Sequence, residues 1–336
     1  MKVLLDAIFI NNSGGKVLLD YLIEEIIKRE IDVYFLLDLR LQEEYPSIPK
    51  EKVTYLPNSL LKRHNFYKKH SGELQKVLCF GNVPPTLRLD AKVFTYFHNS
   101  VLFYTGPEFP FKTALAYKVK SWIIRLCQKN KDKWLVQTEF MKSGLSKYWG
   151  ISPYSVDLFP FFSTQIIPQQ EIKRDKYSYY YISDGHPNKM HHHLLNAFAI
   201  ASSTCPNIKL HLTVSKQYPE LIQTIEDLNK KGIAIENMGW CGKEKLKEIY
   251  QKGGFLIFPS SLESFGLGLI EAAQYGMPIL ASDLPFVHEV IRPSLTFDPH
   301  SVQSITDAIV KSQKEEVLRT ELIVSSKVED LIHLLK

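Results

Sequence analysis

Apolar segments typical of buried β-strands alternate with amphipathic helical segments along most of this chain, and this alternation constrains its fold more than any other feature. Strands that alternate with helices form parallel sheets covered by helices on both faces. The alternation runs through residues 2–162, stops in a polar stretch at 163–176 that contains Pro168, and then starts again. We therefore predict an α/β protein with two tandem Rossmann-like, doubly wound domains. Such sheets bind ligands at the carboxyl ends of their strands, so two domains facing across a cleft would hold the site between them.

The length of 336 residues suits two domains of about 150–180 residues each. We place the N-terminal domain at residues 1–162, the linker at 163–176 and the C-terminal domain at 177–318. Residues 319–336 form a C-terminal helical segment that we expect to pack back on the N-terminal domain.

The composition indicates a cytoplasmic protein. Asp6 interrupts the apolar run at the start of the chain, and no small-residue cleavage site follows, so we expect no secretory signal. No stretch approaches the length of about 18 apolar residues that a membrane-spanning helix needs. The four cysteines are far apart and form no CxxC pair, which favours reduced thiols over disulfides or a zinc site.

The net charge of +5 is unevenly distributed. Residues 1–160 carry 23 Lys and Arg against 16 Asp and Glu, whereas the remainder carries 18 against 20. A basic half can face an anionic partner such as a membrane surface or a phosphorylated acceptor. A solvated basic surface without a partner is the other interpretation.

Residues 255–289 hold the most informative segment of the chain. A buried strand ends at Pro259, a polar loop follows, and a helix begins near Gly266. A helix N-terminus offers unpaired N–H groups and a positive dipole end, which suit a diphosphate. Glu263 precedes this helix and Glu271 lies about one and a half turns inside it. One carboxylate would reach one end of a ligand, and the other would accept hydrogen bonds from a diol such as a ribose.

This segment resembles the signature of the family 4 (group 1) retaining glycosyltransferases, which have the GT-B fold. The matching positions are Pro259-Ser260, Glu263, Phe265-Gly266-Leu267, Glu271-Ala272, Gly276 and Pro278. The resemblance implies that Glu263 contacts the transferred sugar and Glu271 the nucleotide ribose. It also implies that the N–H groups of Gly266 and Leu267 bind the diphosphate. Further donor contacts are implied at Ser261, Phe265 and Glu289.

Lys189 follows the strand at residues 177–183 and resembles the family's lysine that pairs with the donor phosphates. The arginine usual in the family is missing, and Gly185-His186-Pro187 stands in its place, which leaves open how the second phosphate charge is balanced. The run His191-His192-His193 does not predict a metal site, because consecutive helical residues point in different directions. The sequence also has no Asp-x-Asp pair, so we expect neither a metal nor another cofactor.

In the first half, Gly14 and Gly15 follow the first strand and resemble the family's glycine-rich loop near the donor, although a plain turn explains them as well. His98 matches a histidine near the reacting sugar, where an imidazole can hold a hydroxyl or move a proton. Thr138 and Glu139 resemble the end of the family's first domain and are secondary candidates. The predicted catalytic residues are therefore Glu263, His98 and Lys189.

A basic amphipathic stretch lies at residues 109–133. Its aromatic and aliphatic residues include Phe109, Phe111, Tyr117, Trp122 and Ile123. They are interleaved with the basic residues Lys112, Lys118, Lys120, Arg125, Lys129, Lys131 and Lys133. Such a stretch can rest on an anionic membrane, or it can be a surface helix that packs its apolar face inward.

The resemblance implies transfer of a sugar, with retention, from a nucleoside-diphosphate sugar to a saccharide or lipid-linked saccharide acceptor. Biosynthesis of a surface polysaccharide, such as an O-antigen or capsule, is the expected role. The N-terminal domain would be on the acceptor side, and the C-terminal domain would bind the nucleotide sugar. We expect no nucleic-acid partner, and a cytoplasmic location that includes a peripheral position on the membrane. A sugar-nucleotide epimerase on the same fold and a non-catalytic partner of another transferase remain alternatives. A nicotinamide oxidoreductase is disfavoured, because GxGxxG is absent.

Overall fold

The structure is a computed structural model and describes residues 2–164 and 174–336. It divides into two compact units. The first, called the N-terminal domain below, comprises Met1–Thr105, Pro110–Ser163 and Ser325–Lys336. The second, the C-terminal domain, comprises Gly106–Phe109 and Thr164–Val324. Most of the linker predicted at 163–176 lies outside the described residues, and the last 12 residues group with the N-terminal domain.

A seven-stranded parallel sheet forms the centre of the N-terminal domain. Its strands are β1 (Val3–Ala7), β2 (Tyr34–Asp38), β3 (Val53–Leu56), β4 (Lys76–Cys79), β5 (Lys92–Tyr96), β6 (Lys133–Val136) and β7 (Val156–Leu158), in the spatial order β3-β2-β1-β4-β5-β6-β7. The helices that connect them are α1 (Ser13–Lys28), α2 (Leu60–His70), α3 (Phe111–Cys127) and α4 (Glu139–Trp149). Adjacent residues of β1, such as Leu4 and Leu5, are both fully buried, because helices cover both faces of the sheet.

The C-terminal domain repeats this plan. Its strands are β8 (Ser178–Tyr181), β9 (Lys209–Leu212), β10 (Ile235–Asn237), β11 (Phe255–Phe258), β12 (Ile279–Ser282), β13 (Ile291–Arg292), β14 (Leu295–Phe297) and β15 (Glu321–Leu322). A six-stranded parallel sheet has the order β10-β9-β8-β11-β12-β14, and β13 pairs with β15 in an antiparallel ribbon. The remaining helices are α5 (His191–Thr204), α6 (Pro219–Lys230), α7 (Lys243–Lys252), α8 (Leu267–Gln274), α9 (Pro285–His288), α10 (Val302–Lys314) and α11 (Val328–Leu335).

The strand order reverses once in each sheet, beside the first strand of each domain. In the N-terminal domain β1 lies between β2 and β4, and in the C-terminal domain β8 lies between β9 and β11. Connections on the two sides of such a point leave the sheet in opposite directions and open a crevice at the carboxyl ends of the strands. The predicted candidates Lys189 and Glu263 follow β8 and β11, the two strands at this point of the C-terminal sheet.

Some elements are not evident from the strand–helix alternation. Strands β13 and β15 have two residues each, too few to show a period. Helix α2 reads as polar, yet it buries Arg63 together with Phe66 and Tyr67. Within the described residues, the helices are all too short or too polar to cross a membrane.

Candidate active site

The loops after β8 and β11 meet at the reversal point of the C-terminal sheet. The ammonium group of Lys189 forms an ion pair with the Glu263 carboxylate, 74 residues further along the chain. The two side chains are 20% and 15% exposed, so solvent and a small ligand can reach them. The backbone also joins the loops, because the Ser261 N–H donates to the Asn188 carbonyl at 2.8 Å and Asn188 Nδ2 donates to the Leu262 carbonyl at 2.8 Å.

The buried Tyr181 contacts both of the loops that carry the Lys189–Glu263 ion pair. The Tyr181 hydroxyl lies 2.8 Å from the Lys189 carbonyl oxygen and 3.0 Å from Ser260 Oγ. Ser282 in turn donates its hydroxyl to the Ser260 carbonyl at 2.8 Å. Tyr181 therefore connects the loop that carries Lys189 to the loop that carries Glu263. Sequence reasoning missed it, since an aromatic residue in a buried strand has no pattern that distinguishes it from core.

Helix α8 begins where the sequence predicted. Gly266 at its cap position has a φ of 74°, in the left-handed region that glycine adopts without strain. Glycine provides no side-chain oxygen for the first N–H groups of the helix, so these groups can serve an anion. The first turn of α8 contains no acidic residue that would oppose one.

Glu271 lies on α8 with its carboxylate against Tyr250 of helix α7. The Tyr250 hydroxyl donates to Glu271 Oε2 at 2.9 Å, and the Tyr250 ring stacks on Tyr275 with centroids 5.9 Å apart. Burial raises the pKa of Glu271, while the Tyr250 hydrogen bond and the positive charge of Lys243 act in the opposite direction. Tyr250 thus orients the carboxylate. The sequence contains no local signal for this pairing, because Tyr250 and Glu271 are 21 residues apart on different helices.

The segment Gly185-His186-Pro187, which replaces the family's arginine, is held in place by hydrogen bonds with its neighbours. The Asp184 carboxylate accepts from the Gly185 N–H at 3.0 Å and from the Ser215 N–H at 2.9 Å. A Cβ at Gly185 would lie 2.5 Å from Cγ of the Tyr218 ring, so glycine permits the tyrosine to pack there. The Tyr218 hydroxyl lies 3.2 Å from His186 Nδ1. Burial, and then the nearby charge of Lys189, lower the pKa of His186.

The three consecutive histidines point to three different environments. His191 is buried with its ring 4.8 Å from that of Tyr181, His192 is exposed, and His193 is half-buried. Burial lowers the pKa of His191 to about 3. Throughout residues 2–164 and 174–336, no three His, Cys, Asp or Glu side chains cluster in a way that would hold a metal ion.

Gly15 and His98 come together at the carboxyl end of the N-terminal sheet. A Cβ at Gly15 would lie 2.9 Å from Cε1 of the His98 ring, so glycine allows the contact. The His98 N–H donates to Asn82 Oδ1 at 2.7 Å, and its ring packs 5.2 Å from that of Phe80. Burial lowers the pKa of His98 to about 4, against a weaker opposing hydrogen bond with the Phe80 backbone. The imidazole is therefore neutral at neutral pH and suits a hydroxyl partner.

The remaining candidates lie at helix ends, inside the core or, for Ser261, in the loop after β11. Thr138 caps α4 by accepting from the Met141 N–H at 3.2 Å, and Glu139 is exposed. Phe265 is only 3% exposed and belongs to the buried core. The Ser261 hydroxyl donates to Glu108 Oε1 at 2.8 Å, within the same domain. Gly14 is exposed at the start of α1, and Glu289 is half-buried at the end of α9.

The sequence profile of the glycosyl transferases group 1 family matches residues 162–327. Residues 162–327, just under half of this chain, therefore have the sequence pattern of that family. The predicted group 1 membership is thereby confirmed, and the assignment to family 4 stays a prediction.

Similar sequences come from bacteria and plants. An uncharacterised 41.2 kDa protein in the cps region of Klebsiella pneumoniae is 29% identical over 132 residues, 38% of this chain and 34% of that protein. The O-antigen chain mannosyltransferase B of Escherichia coli is 30% identical over 100 residues, 30% of this chain and 26% of that protein. A probable sucrose-phosphate synthase 1 of Citrus unshiu is 48% identical over 61 residues, 17% of this chain and 6% of that protein. The matched segments therefore span about a third or less of these relatives.

Solved structures share the fold over most of the chain. HepE of Anabaena, in complex with UDP and glucose, superimposes with a TM-score of 0.69 at 15% identity, covering 94% of this chain and 90% of that one. WaaG, a glycosyltransferase involved in lipopolysaccharide biosynthesis, gives a TM-score of 0.69 at 14% identity, covering 93% and 90%. The predicted fold class, GT-B with two Rossmann-like sheets, is confirmed.

Proposed function

We propose that this protein is a retaining, metal-independent glycosyltransferase that moves a sugar from a nucleoside-diphosphate sugar to a saccharide or lipid-linked saccharide. The observation that carries the proposal is the pairing of Lys189 with Glu263 at the reversal point of a sheet, beside the glycine-capped N-terminus of α8. Cationic and N–H groups for a diphosphate thus lie next to a carboxylate for a sugar. The match of residues 162–327 to the group 1 family supports the same activity.

In the proposed complex, the donor diphosphate lies at the N-terminus of α8, against the N–H groups of Gly266 and Leu267. Lys189 turns from Glu263 towards the phosphates, and Glu263 accepts hydrogen bonds from hydroxyls of the sugar. This exchange leaves neither charged side chain without a partner, which matters in a site where both are mostly buried. As the bond to the sugar breaks, Lys189 and the helix dipole stabilise the negative charge on the leaving diphosphate.

The nucleoside end of the donor is assigned to Glu271. Its carboxylate, oriented by Tyr250, accepts hydrogen bonds from the two ribose hydroxyls. An ionised acceptor is needed for both bonds, and the hydrogen bond from Tyr250 favours the ionised form. Glu289 and Ser261 remain proposed donor contacts from the resemblance.

The acceptor hydroxyl attacks from the face that the diphosphate leaves, so no side chain has to become a covalent nucleophile. In the N-terminal domain, His98 would form a hydrogen bond with a sugar hydroxyl, as the resemblance implies. Gly14 and Gly15 would allow the donor to approach the backbone. A neutral His98 suits this role better than that of a cation.

A role in surface polysaccharide synthesis is supported by the relatives. One is encoded in a cps region, one is an O-antigen chain mannosyltransferase, and WaaG acts in lipopolysaccharide biosynthesis. HepE structures contain UDP or UDP-glucose, which supports a nucleotide-sugar donor for this chain. Transfer to an added acceptor would separate this function from an epimerase or a non-catalytic partner.

The first experiment is a thermal-shift panel of UDP, GDP, ADP and CMP on the wild type and on Glu271→Ala, with EDTA present. A ligand at about 100 times its Kd stabilises by roughly 2.7 kcal/mol, a shift of several degrees. We expect one diphosphate to shift the wild type but not Glu271→Ala. Glu220→Ala, in the exposed first turn of α6, is the matched control and should respond as the wild type does. A shift of equal size in Glu271→Ala would contradict the ribose assignment.

Glu263→Ala separates binding from transfer. Because this change releases Lys189 from its ion pair, nucleoside-diphosphate affinity should be unchanged or tighter, while sugar transfer is abolished. Transfer at the wild-type rate in Glu263→Ala would overturn the site assignment.

A further inference from the structure

Helix α3 is apolar on two opposite faces. One face packs into the N-terminal domain through Ile124 and Cys127, which are buried. The other face carries five large apolar side chains that are at least half exposed, named here the apolar stripe: Phe111 at 81%, Leu115 at 51%, Val119 at 50%, Trp122 at 60% and Leu126 at 55%. The sequence alone left open whether this helix simply packs its apolar face inward. The structure shows that a second apolar face points outward.

The five residues form one continuous strip along the helix. With 3.6 residues per turn, they fall within about 80° of each other around the axis. The strip runs from Phe111 to Leu126, a length of about 22 Å at 1.5 Å per residue. Contiguous apolar surface of this size is uncommon on the exterior of a soluble domain and marks an interaction site.

The charges around the apolar stripe are all of one sign. Between Glu108 and Asp132 the sequence contains six Lys and Arg and no Asp or Glu. At about 100° per residue, Lys118 and Arg125 lie beside one edge of the stripe and Lys112 beside the other. Long basic side chains in this position can keep their charge in water while their methylene stems cover apolar surface.

We propose that helix α3 docks the protein on an anionic lipid surface, lying in the plane of the membrane with the apolar stripe in the boundary between headgroups and acyl chains. An aromatic residue such as Trp122 is suited to that boundary, and the basic residues at both edges meet the anionic headgroups. A second copy of this chain is the less suitable occupant, because two helices with four basic and no acidic residues each would repel one another. The proposal does not depend on the proposed enzymatic activity.

The test is flotation of the full chain with vesicles of phosphatidylcholine, with and without phosphatidylglycerol. We expect binding to the anionic vesicles only. The double variant Lys118→Gln/Arg125→Gln should bind the anionic vesicles on the order of 30-fold more weakly, because each removed charge weakens binding about fivefold. High salt should weaken the binding of the wild type in the same direction.

Two matched double variants separate the stripe from general surface hydrophobicity. Phe111→Ser/Trp122→Ser removes the two most exposed residues of the stripe, whereas Leu61→Ser/Leu318→Ser removes two residues elsewhere that are 69% and 82% exposed. All four side chains are exposed, so both variants should keep the wild-type melting temperature. We expect only the stripe variant to lose vesicle binding.

Trp122 also reports its own insertion. In a Trp240→Phe background it is the exposed tryptophan, since Trp134 and Trp149 are 0% and 6% exposed. Its emission should shift to shorter wavelength on anionic vesicles and be quenched by brominated lipid. Absence of binding to anionic vesicles, equal binding by both double variants, or a dimer in solution that the stripe variant dissociates would each overturn the proposal.

Discussion

The change Asp6→Asn tests the most deeply buried ion pair of the N-terminal domain. Arg63 Nε donates to Asp6 Oδ2 at 2.6 Å, and each side chain is 1% exposed. Arg63 also donates to the carbonyls of Pro84 at 2.9 Å and Val83 at 2.8 Å, just after β4. Through these bonds the pair holds the loop beside Asn82, the residue that accepts from the His98 N–H.

The expected cost follows from this burial. Asparagine keeps the shape of the side chain and can still accept a hydrogen bond, but it leaves the Arg63 guanidinium without its countercharge. Removing one partner of a buried ion pair costs about 3–5 kcal/mol. For a domain of this size that corresponds to a fall in Tm of roughly 10 °C. Tyr67, which donates its hydroxyl to the same carboxylate, would lose a charge-assisted bond as well.

Asp38→Asn is the matched control. Asp38 ends the neighbouring strand β2 and is buried, but its partner Arg40 is 54% exposed and remains solvated when the charge is removed. We expect a loss of about 1 kcal/mol or less there. Melting followed by tryptophan fluorescence reports on this domain through the buried Trp134.

The double variant Asp6→Leu/Arg63→Met removes both charges and should melt above Asp6→Asn, because an apolar pair leaves no uncompensated charge. A fall of less than about 2 °C in Asp6→Asn would refute the reasoning, since by the same conversion it corresponds to about 1 kcal/mol or less. It would mean that the carbonyls of Val83 and Pro84 alone suffice to hold the guanidinium.

Three further predictions concern the candidate site. Gly15→Ala should reduce transfer and cost about 1–3 kcal/mol, because its methyl group would displace the His98 ring; Gly72→Ala, which meets no atom within 4 Å, should do neither. Burial raises the pKa of Glu271, and the hydrogen bond from Tyr250 partly offsets this rise. Tyr250→Phe removes that bond, so the pKa of Glu271 should rise further. Nucleotide affinity, measured by calorimetry, should be highest at pH values above the pKa of Glu271 and should fall as the pH drops through that pKa. In Tyr250→Phe this loss of affinity should occur at a higher pH than in the wild type. Superimposable pH profiles would contradict the role of Tyr250. EDTA should leave transfer unchanged, and a loss that magnesium or manganese restores would disprove metal independence.

The sequence by itself determined the two-sheet architecture and the position of the α8 N-terminus. Continuous apolar runs require strands buried on both faces, and helical periods between them require parallel connections. The role of Gly266 can be predicted for a similar reason, since a glycine between a strand and an apolar helix indicates a left-handed backbone conformation at the start of that helix. These properties depend on near neighbours in the chain, so a linear pattern contains them.

Only the tertiary structure decided which side chains meet. Lys189 and Glu263 are 74 residues apart and pair because β8 and β11 are adjacent in the sheet, which no local pattern encodes. Arg63 looks like a solvated residue of a polar helix, yet it is fully buried because a carboxylate on β1 compensates its charge. The apolar stripe of α3 belongs to the same class: helical periodicity shows that a helix has apolar faces, whereas packing determines which of them remains exposed.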